Sequence, residues 1–349
     1  MPIYRFEPLI MRLGMVPLVW LTTARFPKVE EQAAPLGLAH FVDLTVLSCQ
    51  SLHTPLLRDV PLLPDLSPFQ LLLIALLTLY ALGTAPLLAT GSLLALHTAV
   101  GTLVNSATAN VDHNSQIVGY ALLAQFLAHL YHQHAVRQSP TPGRAARQLC
   151  LDRWRDLARS WATFFRAPFD PARPGALTSP ISPHSEQARW THFTISAIAA
   201  SYVVSAISKL VRSEGRWIEN IPNIVLQIRK TNGQAFADTG DHTAAAATNF
   251  AIDLTSRDPD LARLLFGAGL GVELFAFLAL FGRTWALLVG ISLFVLHTLV
   301  SQLMSLDFSY NKAALVLLLI NIPFWLYQLI LRPLLTRPNS PGPQTSAGS

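Results

Sequence analysis

The sequence predicts an all-α, polytopic membrane helical bundle of about eight transmembrane helices, with both termini cytoplasmic. Three observations carry this expectation. Hydrophobic residues make up 51% of the 349 and charged residues only 13%, where soluble domains carry about 25% charged residues. The stretch Phe69–Val111 contains no Asp, Glu, Lys or Arg, which is room for two spans of roughly 20 residues each. The basic residues are mostly arginines placed between apolar runs, a pattern that speaks of membrane topology and not of nucleic acid.

The spans follow in chain order. The first is Leu9–Phe26, where Arg5 and Arg12 precede the run "LGMVPLVWLTTA". No small-residue cleavage site follows it, so it reads as a retained helix and not a signal peptide. Phe69–Leu87 and Leu88–Asn105 meet at the turn signal "GTAP". Ser115–Tyr131 is the fourth and Trp190–Val211 the fifth. The sixth, Leu261–Phe281, begins after "RDPD", where Asp258 suits an N-cap and Pro259 a first turn. Thr284–Met304 follows the break "FGR", and Lys312–Leu331 is the last.

Lysine and arginine bias sets the orientation. The connection 132–189 carries nine arginines from Arg137 to Arg189 and is expected inside the cell. Loops 27–68, 106–114, 212–260 and 305–311 then lie outside. Within 132–189, Trp154, Leu157, Trp161, Phe164 and Phe165 recur at helical spacing. Two readings stay open: a basic amphipathic helix in the headgroup layer, or a helix packed on the protein itself. Residues 1–331 form one domain, and the Pro/Gly/Ser-rich tail 332–349 reads as disordered. Cys49 and Cys150 have no CxxC spacing, so neither a disulfide framework nor a metal site is expected.

Polar residues at span depth are the functional candidates, because each costs about 2.5 kcal/mol or more to insert. Glu273 lies inside the sixth span and needs a partner or a raised pKa; a structural hydrogen bond and a proton relay are both open. His97 and His297 lie mid-span and are either helix-packing hydrogen bonds or, if they face each other, a haem-type pair. The cluster His129, His132 and His134 resembles one fragment of a diiron histidine box without a second box. "ANVDHNSQ" places Asp112, His113, Asn114 and Ser115 at a helix start. Asp112 or Asn114 is a candidate N-cap, and His113 or Asn114 a candidate ligand for a polar substrate group.

Lys209 stands at the outer end of the fifth span and is one of four lysines among 25 lysines and arginines. Snorkelling explains it as well as chemistry does. Arginine snorkels too but cannot release its proton, so the choice of lysine favours a general base. Desolvation and the nearby Arg212 and Arg216 would favour the neutral amine.

The segment "YVVSAISKLVRSEGRWIEN" resembles the vitamin K-dependent gamma-carboxylases and their bacterial relatives, the HTTM-domain proteins. "ANVDHNSQIVGYALL", "GVELFAFLALFGR" and "LFVLHTLVSQLMSLDFSYN" resemble other segments of that family, in the same order. The likeness implies that Lys209 matches the family's catalytic lysine and Trp217 its tryptophan. It implies His113 as a second catalytic candidate; Asn114, Asp112, Arg216 and Trp217 as substrate-binding candidates; and Glu273, His297 and His97 as supporting polar groups. It also implies a reduced quinone as cofactor, from which a lysine takes a proton before reaction with oxygen, and a lyase or oxygenase acting on a small or peptide substrate. The expected location is the cell membrane, multi-pass, and the inner membrane in a bacterium. The β-rich region of the eukaryotic carboxylases has no counterpart in these residues, so carboxylation of protein glutamate is not carried over. The alternative is a non-enzymatic membrane factor that assists maturation or export of a secreted peptide.

Overall fold

The computed structural model describes residues 3–4, 6–24, 68–107, 114–138, 155, 181–182, 185–240, 250–304, 306 and 308–331. The amphipathic pattern 154–165, both cysteines, the loop 27–67 and the tail 332–349 lie outside the described residues, Arg155 alone excepted.

The described residues are helical and contain no strand. The helices are α1 (Phe6–Thr23), α2 (Pro68–Leu82), α3 (Pro86–Ala107), α4 (Gln116–Arg137), α5 (Glu186–Arg212), α6 (Ile224–Thr239), α7 (Phe250–Arg257), α8 (Pro259–Leu274), α9 (Arg283–Met304), α10 (Ser309–Leu315) and α11 (Ile322–Leu326). A 3₁₀ segment, Ala276–Leu280, continues α8, and π-helical turns Val316–Ile320 and Tyr327–Leu331 continue α10 and α11.

Each apolar segment picked out in the sequence is helical, with ends shifted by a few residues. By length and apolarity three helices can cross a membrane: Glu186–Arg212, Pro259–Leu280 and Arg283–Gln302. Ser309–Ile320 and Ile322–Ile330 make a fourth if the pair, bent by 43°, is one span. Their outward faces are apolar. On α9, Leu288, Ile291, Val295 and Leu299 are each about half exposed and recur at spacings of three and four. An apolar stripe of that length is unusual on a soluble monomer and fits a lipid solvent.

Local sequence explains the helix ends. At "GTAP", Gly83 (φ 70°) and Ala85 (φ 43°) take left-handed conformations that reverse the chain between α2 and α3. The Asp258 carboxylate accepts the Leu261 N–H at 3.0 Å, with Pro259 in the first turn, as the sequence indicated. The Ser185 hydroxyl caps α5 through the Ala188 N–H.

Two expectations need correction. Residues 212–260, read as a loop, contain α6 and α7, and a small core of Ile221, Ile228, Ala262 and Phe266 anchors this excursion to α8. The last span, read as continuous from Lys312 to Leu331, breaks at Asn321 (φ 54°, ψ 58°). The reason is Pro323, whose ring clashes with a preceding carbonyl and which offers no N–H to continue the helix. The Asn321 N–H instead closes a π turn on Val316 O at 3.1 Å, and its side chain caps α11 through the Phe324 N–H.

The main core runs through the bundle, with Met15 from α1, Leu73 and Tyr80 from α2, Leu93 from α3, Leu122 from α4, Ile198 from α5 and Leu293 from α9. Helices α4 and α5 pack antiparallel, joined at one end by His129 and Glu186 at 2.8 Å. Near that end, Glu7 is buried and accepts hydrogen bonds from three partners. Arg283 Nη2 approaches its two oxygens at 2.7 and 2.6 Å, Asn321 Nδ2 donates at 2.6 Å and the Tyr4 N–H at 2.8 Å. This knot fixes the start of α1 to the start of α9 and to the break in the last helix pair.

Candidate functional site

At the opposite end of α5, the helix stops because Glu214 (φ 53°) and Gly215 (φ 81°) turn left-handed. The Gly215 N–H reaches back to Leu210 O at 2.8 Å, closing the helix end. The reversal carries Trp217 back over the helix, where its ring centroid lies 5.6 Å from Lys209 Nζ, within cation–π range.

Lys209 Nζ donates to Glu273 Oε2 at 2.5 Å. Glu273 is supplied by the last turn of α8, just before the helix tightens to 3₁₀ geometry at Ala276. The lysine side chain is 34% exposed and the glutamate 12%. The two charges that the sequence singles out on apolar helices are therefore each other's partner. The ammonium is drawn toward α8 and does not simply extend to water.

Two helical turns before Lys209, on the same face of α5, Tyr202 projects from the helix. Its hydroxyl lies 2.5 Å from His297 Nε2 of α9, and both residues are buried. The His297 ring also packs on Phe308 at 4.6 Å between centroids. Phe308 precedes α10, and one turn further on the same side stands Lys312, whose backbone N–H bonds to Phe308 O. Helices α5, α8, α9 and α10 thus bring two lysines, one carboxylate, a phenol and an imidazole to one end of the bundle.

Asn114 joins this end by another route. Its Oδ1 accepts the Tyr310 N–H at 2.8 Å, while Asn311 Oδ1 accepts the Ile117 N–H at 3.1 Å. The Ile117 amide in the first turn of α4 is thus satisfied from α10, and Asn114 accepts from α10 in return. The two asparagines form a reciprocal strap that fixes the segment bearing Lys312. His113 and Asp112 lie outside the described residues.

The remaining candidates do not converge. Arg216 is 67% exposed and faces Glu214 at 3.7 Å. His97 is buried against α1, with Nδ1 3.3 Å from Thr23 Oγ1 and 3.4 Å from Thr22 Oγ1. His97 and His297 thus have separate protein partners and not each other. His129 pairs with Glu186 at the other end, and His134 with Gln138. Among the described residues no three His, Cys, Asp or Glu side chains cluster as metal ligands. A cavity of about 430 Å³ between α1 and α2 is lined, among the described residues, by Val16, Trp20, Ile74 and Leu77 and other side chains that do not titrate, away from this chemistry.

Sequence reasoning missed Tyr202 and Lys312 as members of the site. Tyr202 was findable, since it lies seven residues before Lys209 on a helix. Lys312 was visible in the lysine inventory but was read as the edge of a span.

No family model matches the chain, and no curated protein or solved structure matches it either.

Proposed function

We propose that this chain is a multi-pass enzyme of the cell membrane, the inner membrane in a bacterium, with Lys209 as general base. The observation that carries the reading is the Lys209–Glu273 contact, an ionisable pair on two apolar helices beside a buried Tyr–His pair. Strongly placed ionisable groups inside membrane helices are functional by default.

The eight-span topology with both termini inside belongs to this proposal. Three contacts support that threading: Glu7 with Arg283, His129 with Glu186, and Asn114 with Tyr310. Each joins helix ends that the topology puts on one side. The resemblance to gamma-carboxylase-like and HTTM proteins supports the same reading, with a reduced quinone and a small or peptide substrate as the implied reactants.

The residues present fit a lipid-borne quinol. Lys209 is one-third exposed, and its neighbours Ile207 and Val211 on α5 are exposed apolar side chains. A hydroxyl arriving from the hydrocarbon layer meets the lysine there. When bound, the reduced quinone would supply the electrons for reaction with oxygen. The chain's own task is proton handling. Lys209 rests as an ammonium on Glu273, and a base must be neutral. At 2.5 Å the carboxylate can take that proton, leaving a neutral amine beside a neutral acid. In an apolar layer this neutral pair competes with the ion pair because neither charge has to be desolvated. The amine then accepts the substrate's proton, and Glu273 passes its own to water at the exposed end. Trp217 covers the lysine and favours the cation that forms.

The test is Lys209→Arg. The variant is expected to express and fold, keep the contact with Glu273, and lose turnover in quinol-dependent oxygen uptake. Full activity of the arginine variant would end the general-base reading. A second reading, the non-enzymatic maturation or export factor, is favoured by one observation: Lys209 and His297 already have protein partners, as helix-packing groups do. Purified protein without bound quinone by mass spectrometry, together with full biological function of Lys209→Ala, would select it.

A further inference from the structure

The core of the bundle holds two donors that lack acceptors. Gln125 on α4 and Trp190 on α5 are 0% and 1% exposed. Among the described residues, neither Gln125 Nε2 nor Trp190 Nε1 has a hydrogen-bond partner. A buried tryptophan N–H ordinarily finds one, and a buried donor left unmet keeps its full desolvation cost.

The two side chains stand at one level of the bundle. Helices α4 and α5 are antiparallel, and His129 meets Glu186 at 2.8 Å. One turn inward from that contact lies Gln125 on α4 and Trp190 on α5, so the register sets them at the same height on neighbouring helices. Gln125 Oε1 accepts the Tyr80 hydroxyl of α2 at 2.9 Å. The buried Arg12 guanidinium of α1 lies 5.9 Å from the centroid of the Trp190 ring. Tyr80, Gln125 and Trp190 thus present three neutral donor groups and one carbonyl acceptor. Turning the Gln125 amide over only moves the deficit, because the Tyr80 hydroxyl then has no acceptor. Ala121 and Ala128, buried one turn to either side of Gln125, take up little of this interface, and a water needs only about 30 Å³.

We infer that a water molecule is held between Gln125 and Trp190 in the core of the bundle, accepting from the amide Nε2 and from the indole N–H. Water is the smallest group that supplies two acceptor sites at once. Its own hydrogens serve the lone pairs that Tyr80 and Gln125 leave open. The site joins α2, α4 and α5 through one polar network, and a fully satisfied buried network holds a single packing where a dry one would be strained. None of this depends on the chemistry of Lys209.

The experiment is a crystal structure of the full chain grown in a lipidic mesophase, at a resolution that shows ordered water. A solvent peak about 2.7–3.2 Å from both nitrogens is expected. Crystals soaked in bromide should show no anomalous peak there. A bromide peak assigns the site to an anion and overturns the inference. So does the absence of solvent, a peak on one nitrogen alone, or a protein oxygen bonded to either. A second measurement replaces the Trp190 indole by benzothiophene, which keeps the ring's shape and loses its N–H. If the water is present, the variant loses a hydrogen bond, and its unfolding constant in mixed micelles should rise roughly fivefold. In a dry core the same change removes an unmet donor and the constant falls. A constant that falls, or that stays within about twofold of wild type, overturns the inference.

Discussion

Replacing Glu7 by leucine tests the knot that closes the bundle. Glu7 is 1% exposed and accepts from Arg283, Asn321 and the Tyr4 N–H. Arg283, with its side chain 12% exposed, also lies over the Phe324 ring at 4.4 Å. Removing the carboxylate leaves a guanidinium largely out of water without its counterion. Loss of one partner from a buried ion pair costs about 3–5 kcal/mol. Glu7→Gln keeps the shape and one acceptor oxygen and should cost less, about 1.5–3 kcal/mol, the worth of the charge in the hydrogen bonds. The double variant Glu7→Leu with Arg283→Leu removes both charges, so it should be more stable than the two single costs added together by at least about 1 kcal/mol. The assay is reversible unfolding of purified protein in mixed micelles of increasing SDS content, followed by circular dichroism. A Glu7→Leu variant within about 0.5 kcal/mol of wild type, or a strictly additive double variant, would refute the reasoning.

Three further outcomes are expected in the same assay. Asn321 sits at φ 54°, so Asn321→Ala should be less stable than Asn321→Gly by about 1 kcal/mol, the reverse of their order in a helix interior. Asn311→Ala removes the acceptor of the Ile117 N–H. It should cost about 1–3 kcal/mol and speed hydrogen exchange at Ile117, while exchange at Ile195 in mid-α5 is unchanged. A Cβ on Gly290 would meet Ile320 Cγ1 at 2.7 Å and Ile320 N at 3.1 Å. Gly290→Val should therefore destabilise by about 1–3 kcal/mol, and trimming the neighbour in Gly290→Val with Ile320→Ala should recover only part of that, because the backbone contact remains.

The helices were legible because they are long apolar runs, and apolar length is a local property. "GTAP" and "RDPD" placed their turn and cap correctly for the same reason: Gly, Asp and Pro act within four residues. The pairing of polar groups was not legible. Lys209 and Glu273 were each recognisable as a charge in need of an explanation, but 64 residues separate them, and nothing in the helical period says which faces meet. Glu7 escaped notice because it precedes the first apolar run and looks like a solvated helix start. Asn321 escaped because a lone asparagine in "LLLINIPFW" reads as tolerated polarity, although Pro323 biases the preceding Ile322 away from helix and marks a boundary there. The helices within 212–260 were hidden by mixed composition, since their burial is against α8 and not within the segment.

The Glu7 knot also imposes an order on biogenesis. Glu7 is made with the first helix, whereas Arg283 and Asn321 follow only after most of the chain has been made. Until then a carboxylate destined for the interior has no cation to meet and must remain hydrated or protonated. A chain halted before α9 would carry that carboxylate with the Tyr4 N–H but without Arg283 and Asn321. Closure of the bundle is thus written into one residue near its beginning.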